Sequence, residues 1–263
     1  MTCVIRTSGG LGNLIFEYCT LYAFSKKKNL DMGALVETGH SIERPGFFHY
    51  SKLFSNVKKN TNPDMTNYYE QKVFTYSPIP DNATYIYGNF QSWKYFAGYE
   101  TEIRDTLRLN DRETFEKCKT DYEAMANGKK TICCHIRRGD LLYHSPEFLP
   151  LVQEDYYAKA LTRYSEDYKI LVFSDNIEMV NYWNVWKSRD VVFVYGNVYD
   201  PVSAFFTMSM CNHFIIANST LSLSAYYLRE HQDAELTAPR RWFGIDGPVF
   251  NILDIVPENA FLL

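Results

Sequence analysis

Strand and helix patterns alternate throughout the second half of this 263-residue chain. Each predicted strand is a short apolar run, and each predicted helix has apolar residues three and four positions apart. Regular alternation of this kind predicts a parallel β-sheet covered by helices on both faces, which places the chain in the α/β class. The predicted strands are 131–137, 170–174, 191–195 and 213–217, and the predicted helices lie near 155–165, 176–186, 201–211 and 220–231.

Polar residues follow three of these strands. The first strand runs into His135–Asp140, which contains an imidazole, two guanidiniums and a carboxylate. Ser174-Asp175 ends the second strand, and Asn218-Ser219-Thr220 joins the last strand to a helix. Ligands bind at the carboxyl ends of parallel strands, and both arginine and helix N-termini favour anions. We therefore predict a phosphate site at this edge.

Simpler structural roles for these residues remain open. His135–Asp140 also fits a surface ion-pair cluster, while Asp175 and Ser219 are both placed to cap the helices that follow them. Arg137 and Arg138 are adjacent in an extended segment, so their side chains point to opposite sides. We expect one of them to reach a phosphate and the other to hold the loop.

The N-terminus predicts a second anion-binding turn. Cys3–Thr7 reads as a strand, Ser8–Asn13 as a glycine-rich turn, and residues from about Leu14 to Lys28 as a helix. This order brings backbone N–H groups to an anionic ligand. Ile15 stands where a dinucleotide fingerprint has its third glycine, so a plain tight turn is the alternative. Asn13 is placed either to cap the helix or to bind a ligand.

A helical stretch from about Asp111 to Ala126 ends at Asn127-Gly128, which is a good C-terminal stop. We therefore predict two domains, residues 1–128 and residues 129–263. The net charge of −4 argues against general binding of nucleic acid.

The six cysteines form no C-x-x-C pair, and the histidines are scattered, so neither a disulfide framework nor a metal site is expected. No stretch approaches the roughly 20 apolar residues of a membrane span, and no signal peptide is seen. These features predict a soluble, cytoplasmic protein.

Several motifs occur in a fixed order along the chain. They read G-G-L-G-N-L-I-F-E-Y at Gly9–Tyr18, G-N-F-Q-S-W-K-Y-F at Gly88–Phe96, H-I-R-R-G-D at His135–Asp140, D-Y-Y at Asp155–Tyr157, F-S-D at Phe173–Asp175, M-S-M-C-N-H-F-I-I-A-N-S-T-L-S at Met208–Ser222 and P-R-R-W at Pro239–Trp242. In this order they resemble glycosyltransferase family 11, the α-1,2-fucosyltransferases, over nearly the whole chain.

The resemblance implies a GT-B-like fold of two Rossmann-like domains whose parallel sheets face a cleft. It implies an inverting transferase that uses GDP-β-L-fucose, needs no metal or other cofactor, and acts on O-2 of a terminal β-galactoside in a glycan acceptor. The N-terminal domain would lie on the acceptor side, and the C-terminal domain would bind the donor. The oligomeric state does not follow from the sequence.

The resemblance also assigns residue roles. Arg137 would contact the β-phosphate and assist departure of GDP, His135 would lie near the guanosine, and Arg138 and Asp140 would shape the loop. The predicted catalytic residues are Arg137, His135 and Asp140. The general base is left among Glu17, Asp140 and Asp175. The residues expected to bind the donor are Gly10, Gly12, Asn13, His135, Arg137, Arg138, Asp175, Asp200, Asn218, Ser219, Thr220 and Ser222.

The chain departs from the family pattern in three places. Leu14 stands where a glutamine is usual, and Leu223-Ser224 stands where the family has two tryptophans. Ala204 occupies the position of an acid that contacts guanine in related enzymes, and Asp200 is the nearest acid. Two alternatives are therefore kept: a nucleotide-sugar-binding protein without catalysis, and a transferase with another donor or acceptor. A dinucleotide oxidoreductase is a more distant third.

Overall fold

The computed structural model describes residues 1–36, 46–194 and 200–263, apart from the side chain of Asp140. The chain divides into two compact units. The first unit comprises Met1–Arg112 and Val249–Val256, and the second comprises Glu113–Pro248 and Pro257–Leu263. Each unit is built on one sheet whose neighbouring strands are all parallel, so the predicted α/β class is confirmed.

The first unit contains a five-stranded sheet in the order β3-β2-β1-β5-β4. Its central strand β1 leads through the glycine turn into α1, whose C-terminal turn carries three lysines where the helix dipole favours cations. The strands are β1 Thr2–Arg6, β2 Asp31–Leu35, β3 Lys58–Asn60, β4 Tyr68–Glu70 and β5 Tyr85–Tyr87, and the helices are α1 Leu11–Lys28 and α2 Glu100–Asn110.

The second unit contains a six-stranded sheet in the order β11-β10-β9-β6-β7-β8. Its central strand β6 is buried at every position, as expected for a parallel strand with both faces covered. The strands are β6 Thr131–Ile136, β7 Lys169–Ser174, β8 Val191–Phe193, β9 His213–Ile215, β10 Leu236–Ala238 and β11 Phe261–Leu262. The helices are α3 Arg112–Ala126, α4 Glu154–Leu161, α5 Ile177–Val180, α6 Pro201–Ser209 and α7 Thr220–Tyr227, and α8 Ile252–Ile255 belongs to the first unit.

The four predicted strands of the second half are confirmed as β6, β7, β8 and β9, although residue 195, the predicted end of β8, lies outside the described residues. The helix predicted near 176–186 is much shorter. It ends at Val180, and a 3₁₀ turn follows at Asn184–Trp186. The Val180 carbonyl at the helix end accepts the Trp183 N–H at 3.2 Å and the indole Nε1 of Trp186 at 2.7 Å, so it has partners without a further helical turn.

The compact units divide between Arg112 and Glu113, whereas the sequence placed the domain boundary after Gly128. The reason is that α3 packs within the second unit. Phe115 makes an edge-to-face contact with Phe206 of α6, with ring centroids 5.6 Å apart, and the Tyr122 hydroxyl lies 3.0 Å from Thr131 Oγ1 of β6. The acceptor-side and donor-side roles given to the two halves stay predictions.

The six cysteines are all free and buried, and buried free cysteine packs as a small apolar residue. Among the described residues, no helix has both the length and the apolar character needed to cross a membrane.

Candidate active site

The predicted polar segments of the second unit do meet at one edge of its sheet. β6 lies between β7 and β9, and His135 and Ile136 of β6 pair with Phe173 and Ser174 of β7. On the other side, Ala217 donates its N–H to the His135 carbonyl at 3.1 Å. The segments that begin at Arg137, Asp175 and Asn218 therefore leave the sheet side by side at its carboxyl edge.

A pocket of about 180 Å³ opens at this edge. Its wall is mostly apolar, and its polar groups come from the ends of β6 and β7. The lining includes His135, Ser174, Asp175, Ala204 and Leu221. A concave site of this kind, with few polar groups and an arginine close by, is typical of small-ligand binding.

His135 contributes a neutral imidazole to the pocket. The residue is 6% exposed, and its Nδ1 is buried with no hydrogen-bond partner among the described residues. Burial, together with the positive charge of Arg137, lowers the pKa of His135 to about 3. The ring is therefore uncharged at neutral pH.

Arg137 and Arg138 have different environments, as their alternation predicts. Arg138 is 4% exposed; its Nη2 donates to the Val152 carbonyl at 2.8 Å, and its guanidinium lies 4.9 Å from the ring centroid of Trp183. Arg137 is partly exposed at the strand end. Arg138 therefore holds the loop, and Arg137 is the arginine in a position to meet a ligand.

Asp175 does not cap the following helix. The cap of α5 is Asn176, whose side chain accepts from the Met179 N–H. Asp175 Oδ1 instead accepts the backbone N–H of Arg138 at 2.6 Å. Asp200 does act as a cap: its carboxylate accepts the N–H groups of Val202 and Ser203 at the start of α6. Asp200 is thus already bonded within its own helix.

The start of α7 has no side-chain cap. Ser219 is the N-cap residue, but its hydroxyl makes no capping hydrogen bond. Ser222 is fully buried, and its hydroxyl donates to the Ser219 carbonyl at 3.3 Å. Thr220, the first residue of the helix, is partly exposed. An N-terminus without a side-chain cap beside an arginine suits an anion.

Asn218 anchors this helix start. Its Nδ2 donates to the carbonyls of Pro150 and Trp242, both at 3.0 Å, and its Oδ1 is buried with no partner in the described part of the chain. The amide group thus ties together two loops and the beginning of α7. The sequence predicts that Asn218 binds the nucleotide-sugar donor. In the structure, its side-chain amide links two loops to the start of α7.

The glycine turn of the first unit is held by a buried acid. Glu17 is fully buried, and its two carboxylate oxygens accept the Ser8 N–H at 3.1 and 3.2 Å. Burial raises the pKa of Glu17 well above its ordinary value. Gly10 precedes α1 as its N-cap residue, and Gly12 is buried in its first turn. Gly9 has φ +91, a conformation that favours glycine.

Asn13 of α1 is not the helix cap, and its Oδ1 accepts from Gln91 Nε2 at 3.2 Å. Sequence reasoning gave Gln91 no role. Nor did it give roles to the α4 tyrosines, although both lie in a quoted motif. Tyr157 donates its hydroxyl to the His135 carbonyl at 3.0 Å, and Tyr156 donates to the Ile216 carbonyl at 2.8 Å. Both tyrosines thus stabilise the ends of the strands from which the candidate site residues extend.

Asp140 begins a 3₁₀ turn after Gly139, but its side chain lies outside the described part of the structure. Its predicted catalytic role stays a prediction. Within the described ranges, no three histidine, cysteine or acidic residues form a group with metal-binding geometry.

The sequence model of the protein family described as glycosyl transferase family 11 matches residues 1–242 of this chain. Galactoside alpha-(1,2)-fucosyltransferase 2 from Bos taurus is 28% identical over 98% of this chain and 76% of its own length. An alpha-1,2-colitosyltransferase from Escherichia coli is 27% identical over 97% of each chain.

Among solved structures, NodZ α-1,6-fucosyltransferase soaked with GDP-fucose gives a TM-score of 0.51 at 10% identity, over 87% of this chain and 92% of its own. At that identity the likeness bears on the fold alone, and it confirms the predicted GT-B-like class.

Proposed function

Because the chain belongs to glycosyltransferase family 11, we propose that it transfers L-fucose from GDP-β-L-fucose to O-2 of a terminal β-galactoside, with inversion and without a metal. The resemblance carried by the ordered motifs is confirmed, and the chain is a glycosyltransferase. The donor, the acceptor and the stereochemistry are parts of the proposal. They are supported by the names of the relatives and by the anion-binding chemistry of the second unit.

The proposal rests on two groups at the carboxyl edge of β6, the guanidinium of Arg137 and the N-terminus of α7, which together we call the cradle. Arg137 is partly exposed there, and the start of α7 offers backbone N–H groups without a side-chain cap. In the proposed reaction, the acceptor hydroxyl attacks the anomeric carbon while the bond from that carbon to the β-phosphate oxygen breaks. Arg137 and the helix start stabilise the charge on the departing GDP. The hydroxyl proton passes to a base or to water.

The general base is not assigned among the three candidates. The carboxylates of Glu17 and Asp175 each accept a backbone N–H, and Glu17 is fully buried. A loose transition state, in which the anomeric carbon carries much of the positive charge, needs little help from a base at the attacking hydroxyl. The proposal therefore places most of the catalytic effect on stabilisation of the leaving group.

The test is GDP release from GDP-fucose with a panel of terminal β-galactosides, with and without EDTA. We expect acceptor-dependent release that EDTA leaves unchanged, and an α-linked product by NMR. Loss of turnover in EDTA would contradict the metal-independent part. GDP binding by calorimetry without release for any acceptor would favour a nucleotide-sugar-binding protein, and absence of both would contradict the proposal as a whole.

Colitose is the second candidate for the donated sugar, because one relative with nearly full coverage is named a colitosyltransferase. Both candidates are transfers from a GDP-sugar by the same cradle. Competition between GDP-fucose and GDP-colitose at equal concentration decides between them. The GDP-sugar with the higher kcat/KM is the preferred donor.

A further inference from the structure

The geometry points to Asp175 as a positioning residue for Arg137, rather than as a base or a donor contact. This inference rests on the proposed function, since it concerns the arginine that would meet the leaving group. Asp175 follows β7, and Arg137 follows β6, so the two segments leave neighbouring parallel strands at the same edge. The acid is therefore placed to act on the turn that carries the arginine.

Both carboxylate oxygens of Asp175 face the backbone of that turn. Oδ1 accepts the Arg138 N–H at 2.6 Å. Oδ2 lies only 2.5 Å from the point that a Cβ on Gly139 would occupy. The carboxylate thus fills the space beside Gly139, and a side chain at that position would collide with it. Residue 139 is therefore a glycine because there is no room for a side chain beside Asp175, and not because the backbone needs the flexibility of glycine.

Arg138 is fixed at its side-chain end as well as at its backbone N–H. The Arg138 guanidinium is held by the Val152 carbonyl and the face of Trp183, and the side chain is almost fully buried. On its other side, Arg137 is preceded by Ile136, the last residue of β6, which is fully buried in the sheet. The residues before and after Arg137 are therefore both fixed. Ile136 is fixed in the sheet, and Arg138 is fixed by the hydrogen bond from its backbone N–H to Asp175.

Such a role needs an acceptor oxygen but not a negative charge. Asp175→Asn keeps an oxygen for the Arg138 N–H, while Asp175→Ala removes it. A base or a charged contact to the donor would be lost in both variants. We expect kcat to fall by about 10- to 100-fold in Asp175→Ala, because small misplacements of a catalytic group have effects of this size. We expect Asp175→Asn to lose less than about fivefold and to keep the wild-type pH profile of kcat.

Hydrogen exchange of the peptide that contains Arg138 gives a readout independent of activity. In the absence of donor, exchange of the Arg138 amide should rise at least about tenfold in Asp175→Ala and stay within about threefold of wild type in Asp175→Asn. Asp167→Ala serves as the control, because Asp167 is an exposed acid whose carboxylate accepts a hydrogen bond from the hydroxyl of nearby Ser165. It should change neither quantity.

The inference is overturned if Asp175→Asn keeps the amide protected yet loses as much turnover as Asp175→Ala, since the charge itself would then be required. It is also overturned if exchange in Asp175→Ala stays at the wild-type level. A wild-type enzyme that releases no GDP would contradict the proposed function instead. The exchange comparison would still show whether Asp175 holds the turn.

Discussion

Two acids, Glu17 and Asp175, use the same interaction in the two units. Each carboxylate accepts a backbone N–H from the turn that follows a central strand, Ser8 after β1 and Arg138 after β6. These hydrogen bonds fix the two turns in place. Two of the three candidates for the general base thus have a structural partner in the protein itself.

The environment of His135 predicts a pH-dependent stability. Its pKa is about 3 in the folded protein and near 6.5 when unfolded, so the unfolded chain takes up a proton that the folded protein refuses. The stability that His135 contributes is complete above pH 6.5 and is lost as the pH falls towards 3. Between pH 7 and pH 5, wild type should lose roughly 2 kcal/mol more unfolding free energy than His135→Asn.

Urea titrations of both proteins at the two pH values measure this difference. The comparison with the variant removes the contributions of the other titrating groups, which the two proteins share. Equal losses in wild type and in His135→Asn would mean that the imidazole is already accessible to a proton in the folded state.

At the scale of elements, the carboxyl ends of β6, β9 and β10 are tied together by α4. The Tyr156 hydroxyl donates to the Ile216 carbonyl and lies 3.1 Å from the Thr237 carbonyl. Ile216 donates its own N–H to Thr237, so the next donor to its carbonyl in a parallel ladder would be residue 239. Pro239 has no N–H, and the tyrosine hydroxyl takes its place.

This arrangement predicts unequal effects of two similar substitutions. Tyr156→Phe leaves the Ile216 carbonyl without a donor among the described residues, which should lower unfolding free energy by about 1–3 kcal/mol. Tyr157→Phe should cost about 1 kcal/mol or less, because the His135 carbonyl keeps the N–H of Ala217. Chemical denaturation of the two variants measures both values. A larger loss in Tyr157→Phe would contradict this explanation.

The sequence predicts those elements whose signal is local. β6, β7 and β9 are short apolar runs, and the parallel topology brings their carboxyl ends to one edge, so the candidate site could be located before the structure. The end of α5 could not be predicted, because apolar residues continue through Trp186 while the helix ends at Val180. Asp175 was predicted either to bind the donor or to cap a helix, and its bond to a residue 37 positions earlier has no sequence signal.

At the scale of the whole molecule, the chain returns near its C-terminus to the unit where it began. Val249–Val256 belongs to the first unit, and Asp254 of α8 fixes it there. This carboxylate pairs with Lys94 Nζ at 2.5 Å and accepts the Tyr76 N–H at 2.9 Å, and its side chain is 7% exposed. No sequence signal indicates this return, because it depends on contacts between residues 160 and 178 positions apart.

Asp254→Ala should therefore destabilise the first unit. The substitution leaves the Tyr76 N–H without its acceptor and Lys94 without its partner, and we expect a loss of about 2–3 kcal/mol. Asp81→Ala is the matched control, because Asp81 pairs with Lys28 but its side chain is 81% exposed. Its effect should be much smaller, because exposed ion pairs contribute little to stability. Thermal unfolding measures both; similar effects would contradict a fixing role for Asp254.

In the proposed reaction, Arg137 stabilises a departing nucleotide diphosphate at the carboxyl edge of β6. The most direct test is the rate of GDP release from GDP-fucose by Arg137→Ala, with Arg163→Ala as the charge-matched control. Arg163 pairs with Glu235 beside the amino end of β10. We predict a loss in kcat of about 10²- to 10³-fold for Arg137→Ala and less than twofold for Arg163→Ala. An Arg137→Ala variant that releases GDP at the wild-type rate would contradict the account.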